Sequence, residues 1–523
     1  MATIPSTESN KQDGPQRLEA LWARFGVELI LAGVVLLGAL IYCGVTLVMY
    51  DHLAFPLDDS WIHLVIARGI AREGALVYNP GEPTNGSTAP LWSLLLSVGY
   101  LLKIDFLAWD YGLGLLFAWL SGVFIYRLGK KFLLNGGLET RPTIPMALIA
   151  AVLSSIEWHV AWCGLAGMET TLFIFLSVYL LYSHLRGFDG SFLGMLALGG
   201  LGALLVLTRP EGLGLVGLVA LDGVLRQKTW RARVLYVVGW AVPFLLVLGP
   251  NVLYNVGVTG QPLPATFYAK AAEFVDPTER TLLHVARNWL LLLFWTAALG
   301  PQLLLLPGIV YGIYLGVRRR QRLVLLILGW IALLLGAYAL HLPLMSHHGR
   351  YYVPLFPLLI LIGVWGVREV TPVMRRFKLL RRMYALAVAA GFVILWLNGA
   401  VVYAKDVRLI DDEWLPVSFW LRDNTAPDAL VAAHDIGALG YFAERRIIDM
   451  AGLVTPGAIP HIGDEASMRE YLRQEGVDYF VTYPQWYPKL IRDPAFELVF
   501  EGTSPYLRQQ FGHNLQVYRT HWE

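Results

Sequence analysis

Long apolar runs broken by short polar segments dominate the first four hundred residues. A helix needs about 20 consecutive apolar residues to cross the hydrocarbon of a bilayer. Spans that meet this fit roughly at 25–48, 109–128, 143–160, 168–185, 192–208, 212–226, 234–254, 287–316, 323–341, 351–368 and 384–404. That predicts a polytopic α-helical membrane protein with about eleven transmembrane helices. The apolar stretch Leu91–Leu102 is too short to cross and reads as a re-entrant or interfacial helix. Between the first two spans the pattern changes. From Trp61 to Glu73 apolar residues recur at helical spacing (Ile62, Val65, Ile66, Ile70), which predicts an amphipathic helix. The Gly, Pro, Asn and Thr residues that follow favour turns. From about Lys405 the long runs stop. Short apolar runs at Leu430–Ala433, Arg446–Met450, Tyr479–Thr482, Glu497–Phe500 and Leu515–Tyr518 alternate with turn residues and with helix patterns at Asp412–Arg422 and Ser467–Gln474. This predicts a small α/β domain. The expected organisation is a disordered cytoplasmic terminus at 1–24, a membrane domain at 25–404 with a long first outer loop at 50–90, and the α/β domain at 405–523.

Composition agrees with this picture. Of 523 residues, 56% are hydrophobic and 15% charged, with a mean hydropathy of +0.53. A soluble chain carries nearer a quarter charged residues. The net charge of +2 gives no footing for nucleic acid, and none is expected as a partner. The two cysteines, Cys43 and Cys163, form neither a disulfide framework nor a metal-ligand spacing. The first apolar run is too long for a cleaved signal peptide and reads as a retained anchor. Basic clusters at Lys11–Arg24, Arg127–Arg141, Arg226–Arg233, Arg318–Arg322 and Arg375–Arg382 mark the cytoplasmic side. The intervening loops Tyr50–Pro90, Trp158–Gly167, Arg209–Gly212, Asn255–His284 and His341–Tyr352 are poor in Lys and Arg. They and the C-terminal domain are expected outside.

Candidate chemistry gathers on that outer side. The loop 50–90 is led by adjacent acids, Asp58 and Asp59, beside Trp61 and His63. Like-charge repulsion and burial raise the pKa of at least one, which suits a general base for a hydroxyl. The pair could also hold a divalent cation, Mg or Mn, together with substrate oxygens. Either acid could instead cap the helix that starts near Trp61. Other charges stand at the outer ends of spans: Glu169 in GMETT, Arg209 and Glu211 in TRPEG, Lys270 in PLPATFYAK and Arg350 in HHGRYY. Charges near a membrane are costly and are paired or functional. Arg209, Lys270 and Arg350 are candidates for a lipid phosphate, and Arg209 could equally pair with Glu169 or Glu211. The outer histidines, His52, His63, His159, His347 and His348, have no zinc spacing and read as interfacial or hydrogen-bonded. In the stretch from His434 to Leu453, Asp435 with Gly437 and Gly440 reads as a structural turn or an acceptor contact.

Taken in order, DDSWIHLVIARGIAREGALVYNPGEPTNGSTAPLW, GMETTLF, TRPEG, GQPLPATFYAKA, GRYYVPLFP and DIGALGYFAERRIIDMAGL resemble bacterial GT-C glycosyltransferases, the membrane enzymes that use polyprenyl-phosphate sugars. Within them the chain is most similar to the mycobacterial terminal arabinofuranosyltransferases. The resemblance implies an aspartate base in the first outer loop, matched by Asp58 and Asp59, with the leading Asp58 favoured. It implies donor-phosphate binding by Arg209, Lys270 and Arg350. A substrate pocket follows at Trp61, His63, Glu82, Asn85, Glu169, Glu211, His348 and Tyr351. The expected partners are a polyprenyl-phosphate sugar donor, a glycan or glycolipid acceptor and the lipid bilayer. The expected location is the bacterial cytoplasmic membrane, and no cofactor beyond that divalent cation is implied. A lipid or polysaccharide transporter or flippase is the competing class. It would show paired inverted repeats or broken helices, and the sequence displays neither.

Overall fold

A computed structural model describes residues 13–134, 143–187, 191–274, 281–341, 347–371 and 376–522. The expected basic residues Lys11, Arg141 and Arg375 therefore lie outside the described residues. The helices run in order as α1 (Asp13–Tyr50), α2 (Asp58–Glu73), α3 (Pro90–Leu101), α4 (Phe106–Leu134), α5 (Thr143–Ser155), α6 (Trp158–Cys163) and α7 (Thr170–Leu185). Then come α8 (Phe192–Thr208), α9 (Gly212–Arg226), α10 (Trp230–Thr259), α11 (Ala265–Phe274), α12 (Leu282–Ala298), α13 (Leu306–Arg318), α14 (Arg322–His341), α15 (Phe356–Val370) and α16 (Lys378–Asn424). The C-terminal part follows as β1 (Leu430–Ala433), α17 (Gly437–Phe442), β2 (Arg446–Asp449), α18 (Glu465–Glu475), β3 (Tyr479–Thr482), β4 (Phe496–Glu501), α19 (Pro505–Phe511) and β5 (Gln516–Thr520).

Among the described residues six helical stretches are long and apolar enough to cross a membrane. They are Phe25–Tyr50, Phe106–Phe132, Trp230–Thr259, Arg322–Leu340, His347–Val370 and Lys378–Asn424. Shorter apolar helices, including α3, α7 and α8, pack among them. Three expectations need correction. The run 287–316 is not one straight span: α12 and the following Pro301–Arg318 segment meet at 87°. Gly300 is extended and Pro301 opens a 3-10 turn, so the ladder of helical hydrogen bonds cannot continue. Of the terminus expected to be disordered at 1–24, residues 13–24 are helical and continuous with the first span, and 1–12 lie outside the described residues. The boundary near 405 is not a break, because α16 runs for 47 residues from the bundle into the C-terminal part. Close helix packing depends on small residues. At Gly308 and Gly366 a side chain would collide with the carbonyl oxygen of the facing helix, so α13 and α15 can touch backbone to backbone.

The C-terminal sheet has the order β2-β1-β3-β5-β4. Strands β2, β1 and β3 are parallel, and β5 and β4 add antiparallel. Ile448, Leu472, Phe480 and Tyr518 fill its own small core. The domain is fastened to the α2 region in two ways. Trp61 packs its ring against Phe55, Phe106, Tyr441 and Phe442, with centroids 4.7–5.6 Å apart. Asn79, in the loop after α2, uses its side-chain amide like a strand partner. It accepts from the Ile447 amide and donates to the Ile447 carbonyl, each at 3.0 Å, so it covers the edge of β2.

Candidate active site

Helix α2 starts where Leu57 is extended, and its first turn carries both acids. Successive helical residues point about 100° apart, so neighbouring carboxylates face different surroundings. Asp58 turns toward the C-terminal domain. Its two oxygens accept the Gly437 and Ala438 amides at 2.6 and 2.7 Å, at the start of α17. Burial and the charge of Asp435 push its pKa up to about 8, while the two amide donors pull the other way. Asp59 turns into a cavity of about 230 Å³ and keeps 36% of its side chain open to it. Burial would raise its pKa. The Arg350 guanidinium, helped by His347 and Lys270, outweighs burial and holds Asp59 well below the usual carboxylate range.

One end of the cavity is cationic. Arg350 is buried and its Nη2 pairs with Asp59 and donates to the Tyr351 hydroxyl at 3.2 Å. Arg209 is buried too, and its Nε donates to Glu169 at 2.5 Å. Glu169 in turn lies 3.4 Å from His63. Arg209, Lys270 and Arg350 surround one ring: their charged groups stand 5.3, 5.7 and 5.1 Å from the centre of Tyr351. Three buried guanidinium nitrogens, Arg350 Nε and Nη1 and Arg209 Nη1, have no hydrogen-bond partner among the described residues. Buried donors of this kind are free to hydrogen-bond an anion. Glu211 also lines the cavity and accepts from the Tyr338 hydroxyl at 2.9 Å.

The other end belongs to α11 and the C-terminal domain. Glu273, His434 and Asp435 line it, with Ala451 and Leu453. His434 stands 3.3 Å from Asp435 and 3.4 Å from Glu273. Burial alone would lower the His434 pKa, but hydrogen bonding to Asp435 and Glu273 raises it to about 10. Thr266 and the loop residues Ser87 and Thr88 contribute hydroxyls nearby.

Of the residues singled out from sequence, Asp59, His63, Glu169, Arg209, Glu211, Lys270, Arg350 and Tyr351 come together around this one cavity. Asp58, Trp61, Glu82, Asn85 and His348 do not line it. Glu82 pairs with Arg446 on the outside of the loop. Asn85 donates to the Thr259 hydroxyl at 2.9 Å and stabilises that loop. His348 contacts Asp406 at 2.8 Å between the rings of Trp158 and Trp162. Glu273 and Thr266 were not anticipated; both fall one helical turn from Lys270, the spacing that could have flagged them. His347, which the sequence places at the interface, lines the cavity. Among the described residues no group of three or more His, Cys, Asp or Glu converges as metal ligands do. Asp58 and Asp59 are engaged by different partners.

A family model described as "Domain of unknown function (DUF8728)" matches residues 410–522. No curated protein matches the sequence. Solved structures do. ArnT from Cupriavidus metallidurans bound to undecaprenyl phosphate aligns over 93% of this chain and 98% of its own, with a TM-score of 0.59 and 16% identity. The Archaeoglobus fulgidus oligosaccharyltransferase aligns over 87% of this chain and 69% of its own, at a TM-score of 0.53 and 14% identity. The arabinofuranosyltransferase AftD from Mycobacteria aligns over 93% of this chain but only 41% of its own, at 0.51 and 16%. At such identities the likeness is one of fold, and the fold is GT-C: a polytopic helical membrane bundle with a C-terminal α/β domain.

Proposed function

We propose that this protein is a membrane glycosyltransferase. It moves a sugar from a polyprenyl-phosphate donor to a hydroxyl of a glycan or glycolipid acceptor on the outer side of the bacterial cytoplasmic membrane. The observation that carries the reading is the meeting of three cations around Tyr351, beside a cavity-facing carboxylate. Outside that membrane a donor must arrive in the lipid, and its phosphate needs cationic donors held away from water. The undecaprenyl phosphate bound by the ArnT structure, whose fold this chain shares, supports that chemistry.

In the proposed step the acceptor oxygen attacks the anomeric carbon from the face opposite the phosphate. The bond from that carbon to the phosphate oxygen breaks, and its electron pair leaves with polyprenyl phosphate. The anomeric configuration inverts. Negative charge grows on the leaving oxygen, so Arg350, Arg209 and Lys270 contribute more in the transition state than in the ground state. The acceptor proton goes to Asp59. Asp59 takes this role rather than Asp58, whose two oxygens are already occupied by the α17 amides. Paired with Arg350, Asp59 is a weak base. A donor phosphate that claims Arg350 relaxes this hold and lets the Asp59 pKa climb toward a useful value. The acid limb of kcat is therefore expected at higher pH than that of kcat/KM.

A transporter reading keeps one observation in its favour, the broken α12–α13 pair. Mass spectrometry of envelope glycans from a deletion strain, complemented with wild type or Asp59→Asn, separates the two. A glycosyl residue lost on deletion and restored only by wild type supports the transferase. Unaltered glycans, or full restoration by Asp59→Asn, overturn it.

A further inference from the structure

Resting on the transferase reading above, we infer that Glu273, His434 and Asp435 form the acceptor subsite, and that it takes an uncharged carbohydrate rather than an anionic one. His434 and Asp435 directly follow β1, at the carboxyl end of the central strand of the parallel β2-β1-β3 set. In open α/β sheets, the crevice outside the carboxyl ends of parallel strands is where ligands bind. Here that crevice opens into the cavity that holds Asp59.

The chemistry of the wall suits a polyol. Its two carboxylates accept hydrogen bonds from hydroxyls, and His434 between them balances only one negative charge. An anion meets net repulsion here, and cationic donors at the Tyr351 end. The charges thus sort a phosphate-bearing donor and a neutral acceptor to opposite ends of one chamber. Beside the wall, Trp486 follows β3, lies 4.8 Å from the His434 ring at a tilt of 58° and stays 40% exposed. A part-exposed indole next to carboxylates offers apolar surface for the C–H face of a sugar ring.

The subsite is held in register with the base. Asp58, next in sequence to Asp59, takes the amides of Gly437 and Ala438, two and three residues beyond Asp435. Any side chain at Gly437 would collide with the Asp58 backbone. The Tyr78 hydroxyl donates to the Ile436 carbonyl between them. Asp58 therefore acts as a positioning residue that ties the acceptor loop to the first turn of α2.

The test uses the full chain in lipid nanodiscs. Saturation-transfer NMR follows maltotriose as the neutral probe and trigalacturonate as the anionic one, and undecaprenyl phosphate binding is measured separately. Wild type should bind maltotriose and bind trigalacturonate at least about tenfold more weakly. Asp435→Asn and Glu273→Gln should each weaken maltotriose by about tenfold, the effect of losing a charged hydrogen-bond acceptor. Both variants should bind undecaprenyl phosphate as wild type does, which also reports that they fold. Absence of maltotriose binding, variants that bind it as wild type does, or a preference for trigalacturonate overturns the inference. Failure of wild type to bind undecaprenyl phosphate overturns the transferase reading instead.

Discussion

The two ends of the cavity differ in charge, and α11 contributes to both. The cationic end takes Arg209 from the turn between α8 and α9, Arg350 from the approach to α15 and Lys270 from the middle of α11. Its guanidinium groups are buried, with donors unused. The acidic end comes from α11 and the loop after β1, and its charged groups hold one another. The lesson is that a helical bundle supplies fixed charge at helix ends, where burying a cation is offset by carboxylates such as Asp59 and Glu169. The appended domain supplies a loop whose position depends on docking. Asp59 lines the same cavity and is held from the cationic side.

Breaking the comparison at its centre has the largest expected effect. Asp59→Asn should lower transfer turnover by about 10²- to 10⁴-fold, the usual worth of a positioned base, while undecaprenyl phosphate binding persists. Unchanged turnover would remove Asp59 from the chemistry. At the cationic end, Arg350→Gln should weaken undecaprenyl phosphate binding by about 1.5–3 kcal/mol, as for hydrogen bonds to charged groups. Lys270→Gln should cost under about 1 kcal/mol, because its ammonium is less buried than the Arg350 guanidinium and better screened. Equal losses in titrations of the two variants would contradict the burial difference.

At the docking seam, Gly437→Ala should destabilise the protein by about 1–3 kcal/mol through overpacking against Asp58. Thermal unfolding in nanodiscs and protease sensitivity of the C-terminal domain read this. A wild-type melting curve would mean that the seam is loose. A further effect concerns pH. Asp58 is raised from 3.8 to about 8 in the folded protein, by burial and Asp435. The folded state therefore holds a proton that the unfolded chain releases, and stability falls as pH rises from about 4 through about 8. Asp58→Asn does not titrate, so wild type should lose Tm relative to this variant between about pH 6 and pH 9. A constant difference across that range would discount the shift. The smallest effect belongs to Glu82→Ala, outside both ends. Its exposed pair with Arg446 is worth less than about 1 kcal/mol, and turnover should not change.

The sequence made the broad plan legible because each feature was local. Apolar runs of bilayer length need no tertiary information, and neither do the five short runs that became β1 to β5. The gathering of Arg209, Lys270 and Arg350 was also readable, since alternation of basic loops assigns each to a common side. The break between α12 and α13 was missed because Gly300–Pro301 sits inside one continuous apolar run. Hydropathy does not register a bend.

What the chain by itself determined was composition along one dimension: which segments are greasy, where they stop and which charges stand at their ends. Only the tertiary structure decided how the adjacent acids divide their work. Asp58 and Asp59 are chemically identical and one residue apart, and no pattern distinguishes them. A turn of about 100° along α2 aims one at the amides of α17 and the other at Arg350. These partners lie about 380 and 290 residues away in sequence, so the assignment waits on long-range packing.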